Sequence, residues 1–147
     1  MNSQEIVQTL MDAVQKGDFD KAQTLLSDDF QIRGLVRRPV SGKTWLKLGA
    51  SLRMAFNGLN YHFKVASAEG NIVNTTSQMS GNNRGAFDLT GLRMGVISAT
   101  NKDFSTAMEK IKITVKDDKV SSWVVEPTEG AGLMAILKQL GVKLSTI

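Results

Sequence analysis

The run from Ser121 to Val142, SSWVVEPTEGAGLMAILKQLGV, constrains this chain more than any other segment. Its β-branched and aromatic start reads as a final strand, and Pro127 with Gly130 and Gly132 reads as a corner. Leu133, Ile136, Leu137 and Leu140 then fall on one face of a short helix that stops at Gly141. Architecture follows from this segment more directly than chemistry does.

Upstream, Asn2 and Glu5 stand at capping-box spacing, and Ile6, Val7, Leu10, Met11 and Val14 form an apolar stripe that Gly17 ends. Asp18 caps a second, shorter helix with Phe19, Ala22, Leu25 and Leu26 facing inward, broken by Ser27-Asp28-Asp29. Phe30 and Ile32 suggest a short strand ending at Gly34. Ser41-Gly42 opens a third helix, in which Trp45, Leu48, Leu52, Ala55 and Phe56 recur every three or four residues until Gly58.

From Tyr61 the period changes to two. Tyr61, Phe63 and Val65 alternate with His62, Lys64 and Ala66, the chain turns at Glu69-Gly70-Asn71, and Ile72 to Met79 forms the hairpin partner. The glycines between Gly81 and Lys102 spell no dinucleotide fingerprint, so this stretch is predicted to be a loop. A long strand from Phe104 to Lys116, a tight turn at Asp117-Asp118-Lys119 and a closing strand from Val120 to Glu126 follow. The order implies an α+β fold, with helices packed on one side of a bent, mostly antiparallel sheet.

The length of 147 residues suits a single domain over 1–147. With no cysteine and His62 as the one histidine, the chain offers no thiol nucleophile and no zinc or iron ligand set, so no metal and no cofactor are expected. Apolar runs are too short to span a bilayer, and the N-terminal segment carries Glu5 and Asp12, unlike a signal peptide; a cytoplasmic protein is expected. The net charge of +4 raises the question of nucleic acid. Yet Lys110, Lys112 and Lys116 alternate with Ile111, Ile113 and Val115, which is the wet face of a half-buried strand, so nucleic-acid binding is not expected.

Two segments carry a resemblance. Gly17-Asp18-Phe19-Asp20-Lys21-Ala22, followed by Leu25-Leu26-Ser27-Asp28-Asp29-Phe30, is similar to the turn into helix 2 of the SnoaL-like, polyketide cyclase-like branch of the nuclear-transport-factor-2-like superfamily. The closing segment, with Trp123, Gly130, Gly132 and Leu137-Lys138-Gln139-Leu140-Gly141, resembles the same branch. The resemblance implies a cone-shaped half barrel of curved mixed or antiparallel sheet, covered by N-terminal helices around an apolar cavity. It further implies a homodimer and a small hydrophobic or carbonyl-bearing ligand. Isomerases, cyclases, dehydratases, epoxide hydrolases and non-catalytic binders share that fold, so fold alone does not choose among them.

Members with cyclase activity place an aspartate near the end of the last long strand. Here the neighbourhood reads Glu126-Pro127-Thr128-Glu129, and either glutamate is a stand-in. A carboxylate in an apolar pocket has its pKa raised toward the working range, as proton removal next to a carbonyl requires. The family histidine that follows the glycine ending the second hairpin strand is absent, since Gly81 precedes Asn82 and Asn83.

Glu129 is the first candidate base; the competing reading is a carboxylate stabilised at a helix N-terminus. Glu126 reads equally as an exposed strand end. His62 is a proton carrier if it faces the cavity and a surface residue if it shares the solvent side with Lys64. Arg84 and Asp88 form an anchoring pair or a surface pair. Trp45, Tyr61, Asn82 and Trp123 complete the candidate ligand-binding set, with both tryptophans equally able to serve as core. The expected function is a cofactor-free pocket protein, either a cyclase or isomerase working by carboxylate proton transfer or a non-catalytic binding module.

Overall fold

The structure is a computed structural model, and it describes residues 1–142. Three helices come early: α1 (Ser3–Lys16), α2 (Phe19–Thr24) and, after strands β1 (Leu26–Arg33) and β2 (Val40–Ser41), α3 (Gly42–Ala55). Strands β3 (Phe56–Asn60), β4 (Lys64–Glu69), β5 (Ile72–Ser77) and β6 (Ser80–Asn83) follow. After them come the short β7 (Phe87–Asp88) and β8 (Val96–Ile97), then β9 (Asp103–Ser105), β10 (Glu109–Lys116), β11 (Lys119–Val125) and the closing helix α4 (Gly132–Gln139).

Asn2 caps α1 by accepting from the Glu5 N–H at 2.8 Å, while the Glu5 carboxylate receives the Asn2 N–H at 3.5 Å, so the capping box forms in both directions. Gly17 closes the helix in the left-handed region, where glycine has no Cβ to clash. The apolar stripe of α1 is fully buried, and so are Leu48, Leu52 and Ala55 of α3.

The main sheet has six strands in the order β2-β1-β11-β10-β5-β4. Only β1 and β11 run parallel; the other pairs are antiparallel. Register shifts interrupt β1/β11, β10/β11 and β4/β5, and such irregularities bend a strand and increase its twist. The result is a curved mixed sheet, not a closed barrel, with α1, α2 and α3 laid over its concave side. A second, three-stranded sheet, β3-β6-β9, extends the wall beside α3.

Several expected boundaries move. The long strand expected from Phe104 to Lys116 breaks between Ser105 and Glu109, and its two halves enter different sheets. Thr106 holds the break: its N–H donates to the Met79 carbonyl at 2.9 Å, and its hydroxyl accepts the Met79 N–H at 3.0 Å. Leu26, assigned from its spacing to helix 2, begins β1 instead, and α3 ends at Ala55 so that Phe56 starts a strand. The strand expected from Tyr61 begins only at Lys64, because His62 takes a φ of 46° and its N–H bonds Asn60 Oδ1 at 2.8 Å.

The expected loop from Gly81 to Lys102 begins inside β6 and contains β7, β8 and one 3-10 turn (Thr90–Leu92). Asn83 anchors it. Its amide donates to the carbonyls of Ala55 and Gly85, and its oxygen accepts the N–H and hydroxyl of Thr100 at 2.8 and 2.9 Å. A fully buried asparagine whose amide is used at both ends is structural wiring. Among the described residues no helix is long and apolar enough to cross a membrane.

Candidate functional site

Between the helices and the concave face of the main sheet lies a hollow of about 70 Å³. Val14 of α1, Phe19 of α2 and Trp45, Leu48 and Leu52 of α3 form its roof. Ile32 of β1, Ile111 of β10 and Trp123 of β11 form its floor, and Tyr61, Phe63 and Met79 close one side. The half-buried Leu35, Trp45, Met79, Glu109 and Val125 mark where it approaches solvent.

Aromatic rings run through this wall as a connected series. Phe30 touches Trp45 with centroids 5.5 Å apart, Trp45 lies 4.8 Å from Trp123, and Trp123 meets Phe63 at 5.8 Å with planes 78° apart. Phe63 then stacks on Tyr61 at 5.2 Å. Tyr61 is fixed through its backbone: its N–H donates to Gln15 Oε1 at 2.9 Å, and its carbonyl accepts Ser77 Oγ at 2.7 Å. Burial raises the pKa of its phenol above the ordinary tyrosine value, so it is a neutral O–H group at physiological pH.

Among the described residues one carboxylate lines the hollow, and it is Glu109, the first residue of β10. It lies opposite Ser77 of β5 and shares the inward parity of Ile111 and Ile113. Burial pushes its pKa from 4.5 up to about 7, and no charged neighbour contributes to the shift. At neutral pH such a group exists in both forms, which suits a proton donor or acceptor. The family pattern does not point to this position, but strand parity does. In the alternation that sets Lys110 and Lys112 outside, an acid two residues before Ile111 falls on the apolar side.

The expected catalytic residues lie elsewhere. Glu126 and Glu129 are exposed, on the far side of the β11 end and in the corner before α4, and neither lines the hollow. His62 is exposed, with Nδ1 2.7 Å from the Gln78 carbonyl oxygen. Trp45, Tyr61 and Trp123 do line the hollow. Asn82 and Arg84 do not: Asn82 donates to Asp103 on β9, and Arg84 Nε donates to Asn82 Oδ1 at 3.2 Å on the outer surface. Asp88 turns to Thr90 instead of Arg84; it accepts the Thr90 hydroxyl at 2.7 Å and the Thr90 N–H at 2.9 Å, which hold its carboxyl below the usual range. Among the described residues no cluster of three or more His, Asp or Glu side chains is placed to hold a metal ion.

No family model matches this chain, and no curated protein matches it. Solved structures do. A crystal structure provisionally described as a SnoaL-like polyketide cyclase, from Jannaschia sp. CCS1, superposes with a TM-score of 0.71 at 18% identity, over 96% of this chain and 92% of that one. AclR from Streptomyces galilaeus, provisionally described as a hydroxylase, gives 0.68 at 18% identity over 95% and 84%. An NTF2-like protein from Burkholderia thailandensis E264 gives 0.64 at 13% identity over 86% and 90%. At these identities the likeness carries architecture and no activity. The chain has the fold of the SnoaL-like proteins in the nuclear-transport-factor-2-like superfamily.

Proposed function

We propose that this protein binds a small molecule in the hollow between its helices and the curved sheet, and that Glu109 exchanges a proton with the occupant. The observation that carries this reading is a single carboxylate set among aromatic and aliphatic side chains, with its pKa moved to about 7 by burial. The reaction class is cofactor-free proton transfer next to a carbonyl, as in a cyclase or isomerase. In this reading Trp45 and Trp123 hold the part of the ligand that enters the hollow, and the Tyr61 hydroxyl donates to its oxygen. Glu109 takes the role that the sequence pattern had offered to Glu129, Glu126 or His62.

A non-catalytic binding module is the second reading. The observation in its favour is the size of the hollow, which is less than half the roughly 150 Å³ of a dry cavity able to take up benzene. The two readings separate on Glu109→Gln. Deuterium exchange at the α-carbon of butan-2-one, followed by NMR, is expected to be accelerated by the protein and lost in this variant. Exchange at the uncatalysed rate with the unaltered protein, or exchange that survives in Glu109→Gln, contradicts the catalytic reading.

Association of two copies belongs to the same proposal. Its support is the open outer face of the main sheet, where exposed Val124 and Pro127 lie with Lys110, Lys112 and Glu126 along a groove. Analytical ultracentrifugation is expected to return a dimer mass; a monomer at high micromolar concentration contradicts it.

A further inference from the structure

We infer that the occupant of this hollow carries a small organic cation, a tertiary or quaternary ammonium head, seated against the aromatic wall beside Glu109. The inference rests on the proposed ligand-binding role of the hollow and names the class of ligand.

Five aromatic side chains, Phe19, Trp45, Tyr61, Phe63 and Trp123, contribute to one small hollow. The planes of Phe63 and Trp123 meet at 78°, so the wall turns a corner where a flat slab would not. Aromatic faces carry partial negative charge, and a cation within about 6 Å of a ring centroid is attracted to them, most strongly where water is excluded. A cornered aromatic wall surrounds a compact cation better than it surrounds a flat neutral ring.

Charge points the same way. Of the residues lining the hollow, Glu109 is the one with an acidic side chain and none is lysine, arginine or histidine. Tyr61 is the other titratable group, and burial keeps it neutral. Among the described residues lining the hollow the half-buried carboxylate therefore has no counter-charge, and an ammonium head supplies one. A nearby positive charge favours the ionised carboxylate. A carbonyl compound bearing such a head would thus convert Glu109 to its basic form as it binds.

Size completes the argument. A hollow of about 70 Å³ leaves no room for a fused ring system, while its half-buried edge lets a compact head sit partly within it. The remainder of the ligand would extend past the half-buried Leu35, Met79 and Val125.

The test compares choline with its neutral isostere 3,3-dimethyl-1-butanol, by calorimetry and by chemical-shift mapping on the full chain. Choline is expected to bind at least about tenfold more tightly, with shifts centred on the Trp45 and Trp123 indoles. Glu109→Gln, close to isosteric, is expected to reduce that preference severalfold, and Trp45→Leu to weaken choline more than the alcohol. Equal or tighter binding of the alcohol, no choline binding, or shifts confined to the outer surface would overturn the inference. Proton transfer fails on a different result, the survival of α-carbon exchange in Glu109→Gln, so the two failures are distinguishable.

Discussion

The Glu109 carboxylate faces the start of the last helix: Oε2 lies 3.7 Å from the point that a Cβ on Gly132 would occupy. Gly132 has a φ of 82° and is the first residue of α4. The corner legible in the sequence therefore helps to build the surroundings of the one acid in the hollow.

Gly132→Ala introduces a side chain where there is room for it, since 3.7 Å is an ordinary contact, but where the backbone is left-handed. The expected cost is about 1–2 kcal/mol, measured as a lower urea midpoint with unchanged slope. An unchanged midpoint would show that α4 starts equally well without the left-handed residue.

Glu109 makes stability depend on pH in a defined direction. Its carboxyl titrates near 4.5 when unfolded and at about 7 when folded, so between those values the folded chain holds the extra proton. The stabilisation from the protonated form is complete below the lower value and is lost as pH rises through the upper one. Glu109→Gln stays neutral throughout. Its stability relative to the unaltered protein is expected to rise across this window by roughly 1–2 kcal/mol, the partial opening to solvent screening the rest. Denaturation series at three pH values measure the difference, and parallel curves would contradict the burial of this group.

Asn83 and Asn82 are neighbours with opposite roles. Asn83 is buried and uses both ends of its amide, whereas Asn82 is half-exposed. Asn83→Ala leaves buried donors and acceptors unpaired and is expected to cost about 3 kcal/mol; Asn82→Ala is expected to cost under about 1 kcal/mol. Thermal melts of the two variants check the ordering.

Gln139 ties α4 to β9 through one residue. Its Oε1 accepts the Ser105 N–H at 3.0 Å, and its Nε2 donates to the Ser105 carbonyl at 2.9 Å. Gln139→Ala is expected to speed amide exchange at Ser105 at least about tenfold while leaving Ile113, in the centre of the sheet, unchanged. Uniform acceleration at both amides would mean that the clamp supports the whole fold and not one edge.

Much of the fold could be read from local physics. The Asn2/Glu5 capping box, the Gly17 stop and the α4 face of Leu133, Ile136, Leu137 and Leu140 each depend on neighbours within a turn, and each forms as its spacing implies. The break at Thr106 was hidden because its partner, Met79, is 27 residues away. The site was half legible. Trp45, Tyr61 and Trp123 meet in the hollow as expected of large aromatics on apolar faces. The family pattern points to the end of β11, where Glu126 and Glu129 are exposed, whereas strand parity marks Glu109 as the inward carboxylate.

The most direct measurement is a ¹³C NMR titration of the glutamate side-chain carboxyls, with the Glu109 signal assigned by its disappearance in Glu109→Gln. A midpoint of about 7 is expected for Glu109. A midpoint near the ordinary 4.5 would place that carboxylate in water and remove the proton carrier from the hollow.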